Sequence, residues 1–428
     1  MPTGIEDFRV SHPLLRELRL TEKRELLLTD SGLAAFREAV SLLDELDLAD
    51  GLASYSDVSS ACRRVLEQCL STGQEPDNGR EYIQLLVTEL TSRIATYTYI
   101  VPMFGVELDG LDELSLGTLR VVRPSRALID SLELQYSAEH LELMLEHTKQ
   151  YLWLMGSARG TSETSKVQFI EGCRLACGLL AINAASIYQM GSYAFRVGII
   201  TTPEESHGRA LWLSWKDSDR GLSISSKSVR GQRFVIDLKQ AAAITDSMIG
   251  RKSIEVLHST TRTPLEEAWV RALFWYSDAH RDEALVMRFL KLWSCAEAFF
   301  SIGHTDISES LSFGLAAIIV YGDFRSPEPP EFRGLKKKLK KMYGQRSRAT
   351  HRASYSHVSD RDAADLSQWI AWMLQSMVAF SCQGITTPEE ATKLLRLRAG
   401  AAFRPLNHAI DIVRRAVARL DYWLAGIG

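Results

Sequence analysis

The 428-residue chain has few cysteines, almost no net charge and no long apolar run, and each shortage removes a class of protein. Six cysteines (Cys62, Cys69, Cys173, Cys177, Cys295, Cys382) are scattered mostly in apolar helical contexts, without the dense framework of a small secreted domain. Reduced, buried thiols are the expectation. Cys173 and Cys177 share a helix face at i, i+4, but no histidine accompanies them, so no zinc site, and no metal or cofactor of any kind, is expected. A net charge of -3 gives no global field that draws the chain to nucleic acid or to an acidic membrane; any such attraction has to be local. The longest apolar stretch, LSFGLAAIIVYG at 311–322, is short of the ~20 residues that cross a bilayer. The opening MPTGIEDFRV carries early acids and no apolar core of a secretory signal. A cytoplasmic chain with no membrane span is expected.

What the chain does have is 46% apolar and 24% charged residues, the balance of a globular protein, and a length that favours two or three domains. From Ser31 to about Tyr97 the apolar spacing of LAAFREAVSLLDEL and REYIQLLVTELTSRI, broken by Asp-Gly and Ser-Thr-Gly turns, predicts three helices. TYTYIVPMFGVELDG and LSLGTLRVVRP, rich in β-branched residues and punctuated by Gly and Asp, predict two strands joined by a loop. Residues 138–155 and 165–190 are expected to be helical, with the polar linker SARGTSETS between them mobile. RALWLSW, GLSISSK and QRFVIDL predict further strands. There are no internal repeats, and residues 1–250 are expected to form a mixed α+β region, for which a sensing or regulatory role is the expectation.

At Thr263 the pattern becomes wholly helical. Thr263, Pro264 and Glu266 supply a cap, a proline where a missing N–H costs nothing, and an acid at the third position. Residues 282–302, SESLSFGLAAIIVYG and FRGLKKKLKKMYG continue as helices, the last stopped by Gly344. DRDAADLSQWIAWMLQSMVAF and two helices over 388–425 complete an all-helical bundle at 262–428, so that the chain is predominantly helical overall. This reading places YGQRSRATHRASYSH, 343–357, at a turn between two helices.

That stretch holds two Arg-x4-His pairs, Arg346 with His351 and Arg352 with His357. Chance alone places about one such pair in a chain of this composition, so context has to decide. From Arg333 to Arg352 there are nine basic residues and no acid. One reading is a surface that attracts a polyanion through its phosphates. The other is a solvated helix face, with Leu335, Leu339 and Met342 docking the helix while the lysines meet water.

MYGQRSRATHRA, with Tyr343, Arg346, Ser347 and His351, resembles the signature of the HEPN superfamily (higher eukaryotes and prokaryotes nucleotide-binding), in particular its Apea-like kind. RALFWYSDAH and FLKLWSCAEAFF, with Trp275, Tyr276 and Glu297, are similar to two upstream segments of that family. The likeness covers about 262–382, and VPMFGVELDG with LSLGTLRVVRP is similar to the mixed regions that often precede the domain. The chain departs from the family where a hydrophobic residue and then His-Gly are common; here Thr350 is followed by His351 and Arg352.

The resemblance implies a HEPN-like helical bundle and a metal-independent endoribonuclease. Arg346 and His351 are then the catalytic pair, and Arg352 with His357 the coincidental one. RNA carries its own nucleophile, the 2′-hydroxyl, so a histidine that moves protons and an arginine that clamps the phosphate suffice. Ser347 is expected to cap the helix presenting His351, and Glu297 to orient Arg346 or His351 or else to face solvent. Tyr343, Lys337, Lys338, Lys341, Arg348 and Arg352 are expected to contact RNA. Five positions along a helix leave two side chains roughly 140° apart, so a turn or a second copy of the motif has to bring a working pair together. The resemblance favours the second copy, and with it a homodimer, a toxin or antiviral-defence role, and an antitoxin or defence-system partner. The alternatives are a non-catalytic nucleic-acid or nucleotide-binding helical module, and a structural adaptor in which the motif only caps a helix.

Overall fold

The computed structural model describes residues 15–21, 24–74, 76–132, 148–187, 196–201, 209–214, 223–228, 233–282, 284–301, 306–323, 331–352 and 358–403, with scattered positions between 139 and 146. By their contacts they fall into two compact units, Met1–Ile100 with Met155–Gly172, and Val101–Leu154 with Cys173–Gly428. Among the described residues every strand lies before residue 237, and every element after it is a helix.

In the first unit an antiparallel hairpin, β1 (Leu15–Thr21) and β2 (Arg24–Thr29), precedes three helices, α1 (Asp30–Glu45), α2 (Tyr55–Thr72) and α3 (Gly79–Arg93). The three helices agree with the sequence pattern, and each begins on a side chain that accepts from an orphan backbone N–H: Thr29, Ser54 and Asn78. Val40, Leu43, Val58, Ala61, Cys62, Leu86 and Leu90 form their common core. The hairpin has no counterpart in the sequence reading, because LRELRLTEKRELLLT alternates charged and apolar residues without the Asn-Gly or Asp-Gly turn that marks a hairpin.

Beyond α3 come β3 (Ala95–Phe104), β4 (Val106–Leu108), β5 (Glu113–Leu116), β6 (Leu119–Val122), the short α4 (Arg126–Asp130), β7 (Leu152–Gly160), α5 (Ser162–Ile187) and β8 (Gly198–Ile199). Five of the strands make one sheet in the order β5-β6-β7-β3-β8, and where two strands are expected the chain has four, β3 to β6. β7 corrects two expectations. Leu152 to Met155 are strand, not the end of a helix; all four are buried, and a continuous apolar run carries no period to tell helix from strand. SARGTSETS is not a mobile linker, since its first residues finish β7 and its last open α5. Thr161 and Thr164 donate to the carboxylate of Asp57 at 2.7 and 3.2 Å, and Thr161 and Ser165 are buried. Burial pushes the Asp57 carboxyl up, but these hydroxyls with the Ser54 N–H and hydroxyl outweigh it and hold the group below its usual range.

Along α5, Ser162–Ser186 has the length and mean hydropathy, 1.2, of a membrane span, and 61% of that apolar window is buried inside the protein. Burial also pushes the thiols of Cys173 and Cys177 up. β9 (Arg209–Ser214) and β10 (Ser223–Ser228) pair antiparallel, and β11 (Phe234–Ile236) runs parallel to β4. Two helices absent from the sequence reading follow, α6 (Leu238–Thr245), with a capping box on Asp237 and Gln240, and α7 (Met248–His258).

The helical part continues with α8 (Pro264–Arg281), α9 (Leu285–Phe300), α10 (Ile307–Tyr321), α11 (Phe332–Arg352), α12 (Asp360–Cys382) and α13 (Pro388–Phe403). α8 starts on the expected Thr263–Glu266 capping box with Pro264 in its first turn. α12 is the axis of the bundle: from Leu366 to Phe380 every residue but Trp369 is buried, Ser367, Gln368, Gln375 and Ser376 included, and it packs against α7, α8, α9 and α10. Its Ser367 hydroxyl lies 3.2 Å from Nε2 of buried His280 and 3.3 Å from the Tyr276 hydroxyl, and its Leu374 carbonyl accepts from Trp269. Gly314 lets α10 approach α9, because a Cβ there would lie 2.3 Å from the ring of Phe300. Of the two helices expected over 388–425, α13 is one and residues 404–428 lie outside the described residues.

Candidate functional site

The Arg346 motif is not at a turn. α11 runs unbroken from Phe332 to Arg352, through Gly344, so the expected stop at that glycine is overturned. A glycine ends a helix when the chain needs a positive φ after the last turn; Gly344 has none and only lowers the helix's own stability. Ser347, about four turns inside the helix from its start, is therefore not a cap.

On its inner face α11 buries Phe332, Leu335, Leu339 and Met342. One turn further on the same face lies Arg346. Its Nη2 is 2.9 Å from Oε1 and 3.1 Å from Oε2 of Glu297 on α9, and its guanidinium sits 5.6 Å from the centre of the Tyr343 ring. Tyr343 donates its hydroxyl to Glu297 Oε1 at 3.2 Å, and its ring meets that of buried Trp293 edge-on at 5.1 Å. Burial, and then the negative charge of Glu297, push the Tyr343 hydroxyl above its ordinary pKa. One carboxylate thus fixes both the tyrosine and the arginine of the motif. Of the three placements expected for Glu297, beside Arg346, beside His351 or in solvent, its contacts are with Arg346. The arginine's Nε has no acceptor among the described residues.

Position 351 shares the helix with Arg346, about 140° away around its axis. The side chains of His351 and Arg352 lie outside the described residues, as does the whole of His357. With the motif inside a helix, a local turn no longer brings positions 346 and 351 onto one face.

The lysine run divides by direction. Lys336 and Lys340 both reach Glu309 on α10, and Lys340 lies 3.1 Å from it. Those two cations hold the Glu309 carboxyl below its usual range. Lys338 reaches Asp365 on α12 at 2.5 Å and lies 4.9 Å over the ring of Trp369. Lys337, Lys341 and Arg348 are exposed and make no ion pair among the described residues. Of the residues expected to meet RNA, Tyr343 and Lys338 are therefore occupied with neighbouring helices, while Lys337, Lys341 and Arg348 face solvent.

Trp293, Glu309 and Asp365, which wall and pin this helix, were not singled out from the sequence. Their only signal is helical spacing: Trp293 stands four residues before Glu297, on the same face. Among the described residues no three of His, Cys, Asp or Glu gather as metal ligands. Comparison with protein-family models, with curated proteins and with solved structures finds no match to this chain. What the fold and site define is a mixed α/β N-terminal half followed by a helical bundle, with a carboxylate-anchored arginine and a basic helix face.

Proposed function

We propose that the chain is a metal-independent endoribonuclease of the HEPN type, working in the cytoplasm as a homodimer. The observation that carries the reading is the Glu297–Arg346–Tyr343 cluster: a motif arginine locked in one orientation on a helix that continues through position 351. An arginine fixed before substrate arrives loses little freedom when it meets a phosphate, which is the preorganisation such chemistry needs. His351 takes the proton of the 2′-hydroxyl as it attacks the neighbouring phosphorus, or returns one to the departing 5′-oxygen. Arg346 neutralises charge on the crowded phosphate. Because positions 346 and 351 diverge on one helix, a second copy of α11 supplies the other half of each working pair. Toxin or antiviral-defence activity, held in check by a partner or by the N-terminal region, is the biological setting this chemistry suits.

RNA cleavage by the full-length protein, with EDTA present, tests the reading. His351→Ala is expected to abolish cleavage while His357→Ala leaves most of it, and RNA carrying 2′-O-methyl groups is expected to stay intact. A non-catalytic nucleic-acid-binding module is the second reading, favoured by one fact: Glu297 already matches the charge of Arg346. Binding that is unaltered by His351→Ala, with no cleavage by the parent protein, would establish that alternative.

A further inference from the structure

The outer face of α11 presents three exposed cations, with Gly334 and Gly344 beside them. Lys337, Lys341 and Arg348 fall within about 40° of one another around the helix axis, spread along about 16 Å of its length. Arg346 lies on the opposite side, turned inward to Glu297. Lys336, Lys338 and Lys340, which alternate in sequence with the free cations, are tied to Glu309 and Asp365. The helix has no acid of its own between residues 332 and 352.

We infer that this outer stripe is a phosphate track: Lys337, Lys341 and Arg348 hold the backbone of a single-stranded RNA by charge alone. The inference rests on the nucleic-acid reading above and is separable from its cleavage step. Position 351 lies about 40° from Lys337 and 60° from Arg348 around the axis, so the stripe leads a strand along the face that carries the histidine position, not the face of Arg346. Three features favour nucleic acid over an anionic membrane. The apolar residues of α11 are already buried in the bundle, so the helix has no apolar face left to enter a bilayer. The cations follow one another in single file, as successive phosphates do. Of the residues between Lys341 and Arg348 in sequence, Tyr343 is turned to Glu297 and the Gln345 side-chain oxygen is buried, so contact is with phosphates and is indifferent to base sequence.

The test is anisotropy of a labelled single-stranded 20-mer RNA with the full-length protein, titrated over a range of KCl concentrations. Each phosphate contact on a single strand contributes about 0.7 to the slope of log affinity against log salt. The triple variant Lys337→Gln, Lys341→Gln, Arg348→Gln is expected to lower that slope by about 2 with an unchanged melting temperature. The double variant Lys336→Gln, Lys340→Gln, which unties α11 from α10, is expected to lower the melting temperature and to change the slope by less than one contact. An unchanged slope in the triple variant, an equal loss in the double variant, or binding to phosphatidylserine vesicles that the triple variant abolishes would each overturn the track. A protein that shows the slope change yet cuts no RNA keeps the track and loses the nuclease. One that cuts RNA while the triple variant keeps the full slope does the reverse.

Discussion

Arg346 on α11 and Glu297 on α9 are joined through Nη2 at 2.9 Å, and each side chain is about four-fifths buried. That pair ties the motif helix to its neighbour and sets the direction of the guanidinium. An ion pair of this burial stands between the surface case, worth little, and the buried one, where removing a single partner leaves a stranded charge.

A double-mutant cycle on these two residues measures the tie. Glu297→Ala and Arg346→Ala should each destabilise the protein to urea, Glu297→Ala by about 2 kcal/mol because the arginine's Nε already lacks an acceptor. A coupling energy of about 1–2 kcal/mol is expected. A coupling near zero would show that the contact does not orient Arg346.

Gly344 is an interior helix residue with free space around it: an added Cβ would meet only the Arg348 Nη1, at 3.9 Å. Gly344→Ala should therefore raise stability by roughly 0.5–1 kcal/mol, seen as a higher melting temperature. Destabilisation would mean that the helix is broken at this residue, as the sequence pattern alone had implied.

Glu266 provides an acid-sensitive anchor at the start of α8. Burial pushes its carboxyl up, but the Thr263 N–H, the Lys252 ammonium at 2.9 Å and the Ser381 hydroxyl bring it down to about 2. A carboxyl whose pKa is depressed in the folded state adds stability above its unfolded pKa of about 4.3, and loses it as pH falls from there toward 2. Urea midpoints of the wild type should drop across that window, and Glu266→Gln should flatten this part of the acid limb while lowering stability at neutral pH.

Much of the helical half was legible because its signals are local. The Thr263–Pro264–Glu266 start lies in four consecutive residues, and the 3.6-residue period of α9 and α12 needs no knowledge of what they pack against. What failed depended on distant partners. β7 reads like a buried helix until its neighbours in the sheet are known, and SARGTSETS looks mobile until Asp57, about a hundred residues earlier, engages Thr161 and Thr164. In the candidate site, Glu297 and Arg346 were named from the sequence, but Gly344 misled the placement of the motif, because a mid-helix glycine and a helix-ending one look alike in one dimension. The split of the lysine run was hidden for the same reason: Lys337 and Lys338 are adjacent in sequence, and only the positions of Asp365 and Trp369 on α12 distinguish them.

Subunit mixing tests whether two copies of α11 complete one ribonuclease site, as proposed above. Arg346→Ala and His351→Ala proteins, each assayed alone on RNA, should be inactive; mixed and allowed to exchange subunits, they should regain cleavage, because one site of each heterodimer then has both an intact arginine and an intact histidine. Cleavage by either variant alone at the wild-type rate, or a mixture as inactive as its components, would contradict the account.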